Sequence, residues 1–199
     1  AAAGKVDITP DLAKEKVLMA GFGATGRKPQ GVHDPLYARL LVLREGETTV
    51  AVVSLDLLGF YINDTRDLRG MAGFDAPGRA LFVHATHQHS GPDTLGLWGP
   101  FPGVSGVHHP YHRRIKHEIA SALKHLESRL EPVSAVGASG RLDPRGLCRD
   151  SRDPQVLDPH LATLRLKARK GRHVATIVTW SCHPEVLGRD NIPAKGGAL

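Results

Sequence analysis

A chain of 199 residues with 41% hydrophobic content can bury one core or supply a large part of a bigger one, so a single domain, or a piece of one, is expected across residues 1–199. The 26 Lys+Arg against 20 Asp+Glu leave a net charge of +6, which would suit an anionic headgroup, a cell-wall polymer or a nucleic-acid backbone. The cations are scattered apart from Arg113, Arg114 and Lys116, and only 5% of residues are aromatic, so no base-stacking platform can be read and nucleic acid is excluded as the partner. No apolar run reaches the ~18 residues of a membrane span, because Asp56 interrupts the best candidate, Val50 to Phe60; the expectation is a soluble or peripheral protein without a transmembrane segment.

The chain opens Ala1-Ala2-Ala3-Gly4 without Met. That start fits a mature chain cut after a small-residue signal site, a cloned fragment or a cloning scar, and it favours export to a secreted or periplasmic location. Cys148 and Cys182 are too few for a Cys-rich zinc site; they read either as one disulfide in an oxidising compartment or as two buried thiols.

In chain order, Lys5 to Thr9 alternates polar and apolar and stops at Pro10, as a short edge strand does. Lys16 to Ala20 reads as a strand leading into Gly21-Phe-Gly23-Ala-Thr-Gly26, which spells a dinucleotide-binding fingerprint. That fingerprint needs a helix whose N-terminus faces the pyrophosphate, and Arg27-Lys-Pro29-Gln-Gly31-Val-His-Asp-Pro35 cannot make one. The glycines read instead as a bare-backbone loop that a neighbour or substrate can approach closely.

Leu36 to Arg44, a turn at Glu45-Gly46-Glu47, and Thr48 to Leu58 read as strand, turn, strand. Arg79 to Thr86 is a further strand. Gly, Pro and His crowd Asp93 to Pro110 into a long loop. Tyr111 to Leu130 is a helix, with Ile115, Ile119, Ala122, Leu123, Leu126 and Leu130 on one face; His112, His117 and His125 fall on its polar, solvated face. The hairpin design recurs in His160 to Arg169, Lys170-Gly171-Arg172 and His173 to Trp180. The fold class is α/β or α+β, a mixed β-sheet with flanking helices.

The inner strands run out into polar clusters: Asp56, then His87-Gln-His89-Ser-Gly-Pro92, then Ser181-Cys-His-Pro184. Strand ends are where open sheets place ligand sites. In an extended backbone His87 and His89 project to one side, ~6.5–7 Å apart, and imidazole both suits zinc and titrates near neutrality. Among twelve histidines one such pair arises readily by chance, but His183 occupies the corresponding strand-end position. A catalytic zinc takes three protein ligands and keeps an open position. Asp56, Glu185, His84 and Asp190 are candidates for the third, and no spacing selects among them. A metal-free nucleophile, Ser90 or Cys182 beside a histidine, is a competing chemistry that lacks a marked orienting group and oxyanion hole.

Taken together, Asp7-Ile-Thr-Pro10, Met19-Ala-Gly-Phe-Gly23, His33-Asp-Pro-Leu-Tyr-Ala-Arg39, Val53-Ser-Leu-Asp-Leu-Leu-Gly59, Thr86-His-Gln-His-Ser-Gly-Pro92 and Ser181-Cys-His-Pro184 resemble, in order, the neutral/alkaline non-lysosomal ceramidase family. The resemblance implies the front part of that family's N-terminal catalytic domain, incomplete here. It also implies a Zn2+-dependent hydrolase that cleaves the amide of a lipid such as ceramide, releasing a sphingoid base and a fatty acid, with peripheral membrane contact. By the same resemblance His87 and His183 are metal ligands, and His89 is the catalytic histidine beside the reacting carbonyl. The family takes a further Glu, a Tyr and an active-site Ser from later chain, which implies a working protein that continues beyond Leu199. Two departures stand out: Ile192 to Leu199 replaces an acidic family segment, and His84 stands at a position where the family has a small residue, so it reads as an auxiliary ligand or a surface substitution. The alternative functional reading is a catalytically incomplete fragment, or a relative that acts on another N-acyl substrate or only binds it.

Overall fold

The computed structural model describes residues 1–185 and 197–198. They fall into two units, one of Ala2–Leu130 joined by Pro184, Glu185 and residues 197–198, the other of Ala1 with Glu131–His183.

The first unit is built on a four-stranded mixed sheet of β1 (Ala2–Asp7), β3 (Tyr37–Glu45), β4 (Thr48–Leu55) and β5 (Arg79–Ala85), in the order β1-β3-β4-β5. A shorter β2 (Pro29–Gly31) pairs in parallel with β9 (Gly197–Ala198). β1 and β4 flank β3 antiparallel, while β4 and β5 run parallel through the helical crossover α1 (Ile62–Ala72). The expected edge strand is present as β1, but over Ala2–Asp7 rather than Lys5 to Thr9. Met19 makes only isolated bridges, to Arg27 and Pro92. The expected strand Lys16 to Ala20 does not form, because its backbone partners are loops rather than a ladder.

Alternation decides which face is buried. Thr49, Ala51, Val53 and Leu55 of β4 point inward, with Ala38, Leu40 and Val42 of β3 beside them, as a sheet with one covered face requires. α2 (His109–Glu127) covers that face. Its buried stripe of Tyr111, Ile115, Ile119, Ala120, Leu123 and Leu126 follows helical spacing, and each large side chain so buried contributes about 1.5–3 kcal/mol. The helix begins where His108 Nδ1 accepts the Tyr111 N–H at 3.4 Å with Pro110 in the first turn, and it ends at Ser128, short of the expected Leu130. His117 and His125 are exposed as expected. His112 is not: its side chain is 12% accessible and packs edge-on to Phe60 and against Asp64, and burial pushes its pKa down. The helix α1, which the sequence pattern did not announce, closes on Gly73 at φ 76° with Phe74 N–H donating back to Arg69 O.

Arg114 ties the N-terminal segment to α2. Its guanidinium grips Glu15 bidentately, at 2.9 Å to each oxygen, and also reaches the Thr9 carbonyl and Glu118. Burial pushes the Glu15 carboxyl upward, but the Arg114 and Asp11 hydrogen bonds outweigh it and hold the group below the ordinary carboxylate range.

The second unit is an antiparallel meander of β6 (Val133–Arg141), β7 (His160–Ala168) and β8 (His173–Trp180). The β7–β8 hairpin matches expectation, turning through Lys170 at φ 58° and Gly171 at φ 75°. β6 was not foreseen, since Gly137, Ser139 and Gly140 dilute its β pattern, and it is almost wholly exposed. The two cysteines are free thiols; Cys148 is half-buried and Cys182 exposed, so the pair of buried thiols is not what forms.

Removing the Arg114 grip strands a carboxylate that is 8% exposed. Arg114→Met is expected to cost about 2 kcal/mol in urea unfolding at pH 7. Because the folded Glu15 titrates below its unfolded value, its contribution is present above the unfolded pKa and is lost as pH falls through the folded one. The variant should therefore show a flatter acid limb in a stability-versus-pH series, and an unchanged limb would contradict this.

Candidate functional site

Parallel pairing brings the carboxyl ends of β4 and β5 to one edge, with Leu55 opposite Ala85. Beyond them the chains stay in register by other means: Thr86 N–H donates to Leu55 O at 2.8 Å and His87 N–H to Leu57 O at 3.0 Å. At His87 the backbone leaves the extended region, with φ at 63°, a conformation uncommon for a side chain of this size and typical of functional sites. The two imidazoles therefore do not meet by strand alternation. They meet because the chain turns at His87, which sets the rings edge to face at 5.0 Å between centroids, with a nitrogen of each within 4.8 Å of the other's.

Gln88 holds that turn. Its amide donates to Asp56 O at 2.8 Å and its oxygen accepts the Ser90 N–H at 2.7 Å. His87 Nδ1 donates to the Leu58 carbonyl at 2.7 Å, which assigns the acceptor lone pair to Nε2 and leaves the ring in the tautomer a metal ligand needs. His89 is seated more deeply, 11% accessible, with Nδ1 2.8 Å from Glu185 Oε1 and its ring edge-on to Phe22 at 5.2 Å.

Gly21 explains the depth of that seat. Its φ is 105°, and a Cβ there would stand 2.5 Å from His89 Cβ and Cγ. At Gly26 a Cβ would stand 2.1 Å from the Trp98 carbonyl oxygen. No helix follows these glycines, as their proline-rich continuation predicts, and the bare backbone at Gly21 lies under a neighbour, His89.

The other candidates separate. Asp56 is occupied structurally, with Arg39 at 2.6 and 2.7 Å and the Tyr37 N–H at 3.0 Å. His84 is exposed on β5 opposite Ser54. Glu185 addresses His89. His183 is the last residue of the second unit, past the end of β8, and is exposed. Asp190 and residues 191–196 lie outside the described residues.

Asp93 was missed. It is 2% exposed and accepts the backbone N–H groups of Leu95, Gly96, Trp98 and Gly106 at 2.9–3.2 Å, so one carboxylate organises the long loop that follows the histidine pair. The available signal was an Asp heading a Gly-rich stretch, the arrangement of an Asx turn.

No family model matches the sequence, and no curated protein matches it. Among solved structures, the chain is similar to the neutral ceramidase from Pseudomonas aeruginosa, with a TM-score of 0.73 and 21% identity over 92% of this chain and 32% of that one. It is likewise similar to a ceramidase complexed with C2, with a TM-score of 0.69 and 20% identity over 92% of this chain and 31% of that one. The fold is shared. The chain spans about a third of the length of these structures.

Two glycines give opposite expectations. Gly21→Ala meets both a positive φ and His89, and should lower stability by about 2–3 kcal/mol in urea titrations. Gly70→Ala lies in α1 with open space around its Cβ position and should raise stability by up to about 1 kcal/mol. Asp93→Asn keeps size but halves the acceptors. Hydrogen exchange at the Trp98 and Gly106 amides should accelerate while α2 amides stay protected; uniform exchange across both would refute the loop-anchoring role.

Proposed function

We propose that this chain is part of the catalytic domain of a zinc-dependent amide hydrolase of the ceramidase kind, acting on a lipid amide such as ceramide. The carrying observation is the His87 hydrogen bond to Leu58 O, which presents Nε2 as a ligand atom beside a second imidazole. His87 and His183 are the proposed zinc ligands. His183 stands two residues before Glu185, whose carboxylate is 2.8 Å from His89, and the shared fold with ceramidase structures supports the same assignment.

The chemistry such a site supplies when loaded is Lewis-acid activation of water and polarisation of the amide carbonyl. His87 would hold its share of the metal with a tautomer already set by the Leu58 carbonyl. His89 is the proposed catalytic group: Glu185 accepts its Nδ1–H, which leaves the Nε2 lone pair to take a proton and favours the imidazolium that follows. The Phe22 edge and the Gly21 backbone keep that ring in one orientation, so little ordering remains for the reaction to impose.

The second reading, a catalytically incomplete fragment, is favoured by the coverage of about a third of the ceramidase structures.

Metal content by mass spectrometry, with zinc titration by calorimetry, tests the ligands. Wild type should take up one zinc. His87→Ala and His183→Ala should each weaken binding by roughly a hundredfold or more, while His117→Ala, on the exposed face of α2, should match wild type. Equal zinc in all four proteins would overturn the assignment. His89→Ala should keep its zinc; fatty-acid release from an N-acyl sphingoid substrate then separates the two readings, since turnover by the 199 residues that His89→Ala abolishes would dismiss the incomplete fragment.

A further inference from the structure

The loop between Asp93 and α2 exposes what a water-facing loop ordinarily covers. Phe101 is 70% accessible, Leu97 56% and Val104 46%. An exposed Phe in a slack loop would fold back onto the core. This loop is prevented from doing so: Asp93 holds it at four backbone amides, the Trp98 indole N–H donates to Gly23 O at 3.0 Å, and Val104 N–H closes a turn on Phe101 O at 3.1 Å. Gly99 and Gly106 pack so closely that a Cβ would stand 1.9 Å from Val104 O and 2.1 Å from Trp98 O. The apolar tip is displayed by a fixed scaffold, which removes most of the ordering cost of inserting it elsewhere.

Charge identifies the occupant. From Thr94 to His117 the sequence contains no Asp or Glu, and none occurs from Lys16 to His33. The two stretches are joined at the loop, where Gly26 N–H donates to Gly99 O at 2.8 Å, and both carry exposed cations, Lys28 and Arg113. Asp64 and Asp67 neutralise Lys116 and neighbour His112 farther along α2, but Lys28 and Arg113 are exposed cations on the two segments that adjoin the apolar tip. That combination is complementary to an anionic bilayer, whose acyl chains receive the tip and whose headgroups meet the ammonium and guanidinium.

We propose that this loop is a membrane-docking element that inserts Phe101, with Leu97 and Val104, into an anionic lipid surface. Trp98 and Gly26 connect it to the glycine segment on which His89 rests. The purpose of docking rests on the lipid-amide reading, yet binding to vesicles needs neither zinc nor turnover, so either can fail alone.

Sedimentation with vesicles of phosphatidylcholine alone, or mixed with a quarter phosphatidylglycerol, tests it on the whole chain. Wild type is expected to partition onto the mixed vesicles. Phe101→Ala should weaken that partitioning roughly tenfold or more and Lys28→Ala a few-fold. Phe82→Ala, which removes a comparably exposed ring (61%) from the edge strand β5, should leave it unchanged. In Phe101→Trp, emission should shift to shorter wavelength on adding mixed vesicles. No wild-type binding, equal binding by Phe101→Ala, an equal loss in Phe82→Ala, or Phe101-dependent self-association without lipid would each overturn docking.

Discussion

The parallel pairing of β4 with β5 is the constraint on which the candidate site depends. Antiparallel neighbours put successive strand ends at opposite edges; the α1 crossover instead returns the chain so that Leu55 and Ala85 finish side by side. Each chain then continues into the other's reach, and Leu57 and Leu58 become the backbone partners of His87. The imidazole is oriented by a carbonyl from the adjacent strand's continuation, which leaves Nε2 as its acceptor atom.

A second layer of control is the absence of side chains where they would interfere. Gly21 lets His89 lie against bare backbone, and Gly26, Gly99 and Gly106 let the loop after Asp93 fold onto itself at contact distances no Cβ permits. One buried carboxylate then collects the amides that this tight folding would otherwise leave without acceptors. Rigidity in the histidine turn and rigidity in the loop are parts of one packing arrangement, because Trp98 hydrogen-bonds the same glycine segment that supports His89.

Electrostatics serves the frame more than the site. Arg114 and Glu15 fasten the N-terminal segment to α2, and Glu127 collects Arg79 and Arg44 at the other end of the sheet. Asp56, placed at a strand end where a ligand was conceivable, is consumed in holding Arg39 and the Tyr37 amide. Glu185 is the carboxylate that instead reaches a histidine.

The sequence by itself determined the strands and the long helix whose burial is periodic: β3, β4, β5, the β7–β8 hairpin and α2 all follow from alternation or 3.6-residue spacing, which depend on local geometry alone. It also excluded a dinucleotide loop, since a proline-rich continuation cannot open a helix. It missed α1 and β6, whose apolar signal is diluted by polar residues, Gly and Ser, and it placed a strand at Lys16 to Ala20 where only tertiary partners could say whether a ladder forms. The nomination of His87 and His89 was legible as a motif, but the reason they meet was not. A left-handed residue at His87, a carbonyl from a distant strand and a glycine under His89 are long-range facts, and only the folded chain could decide them.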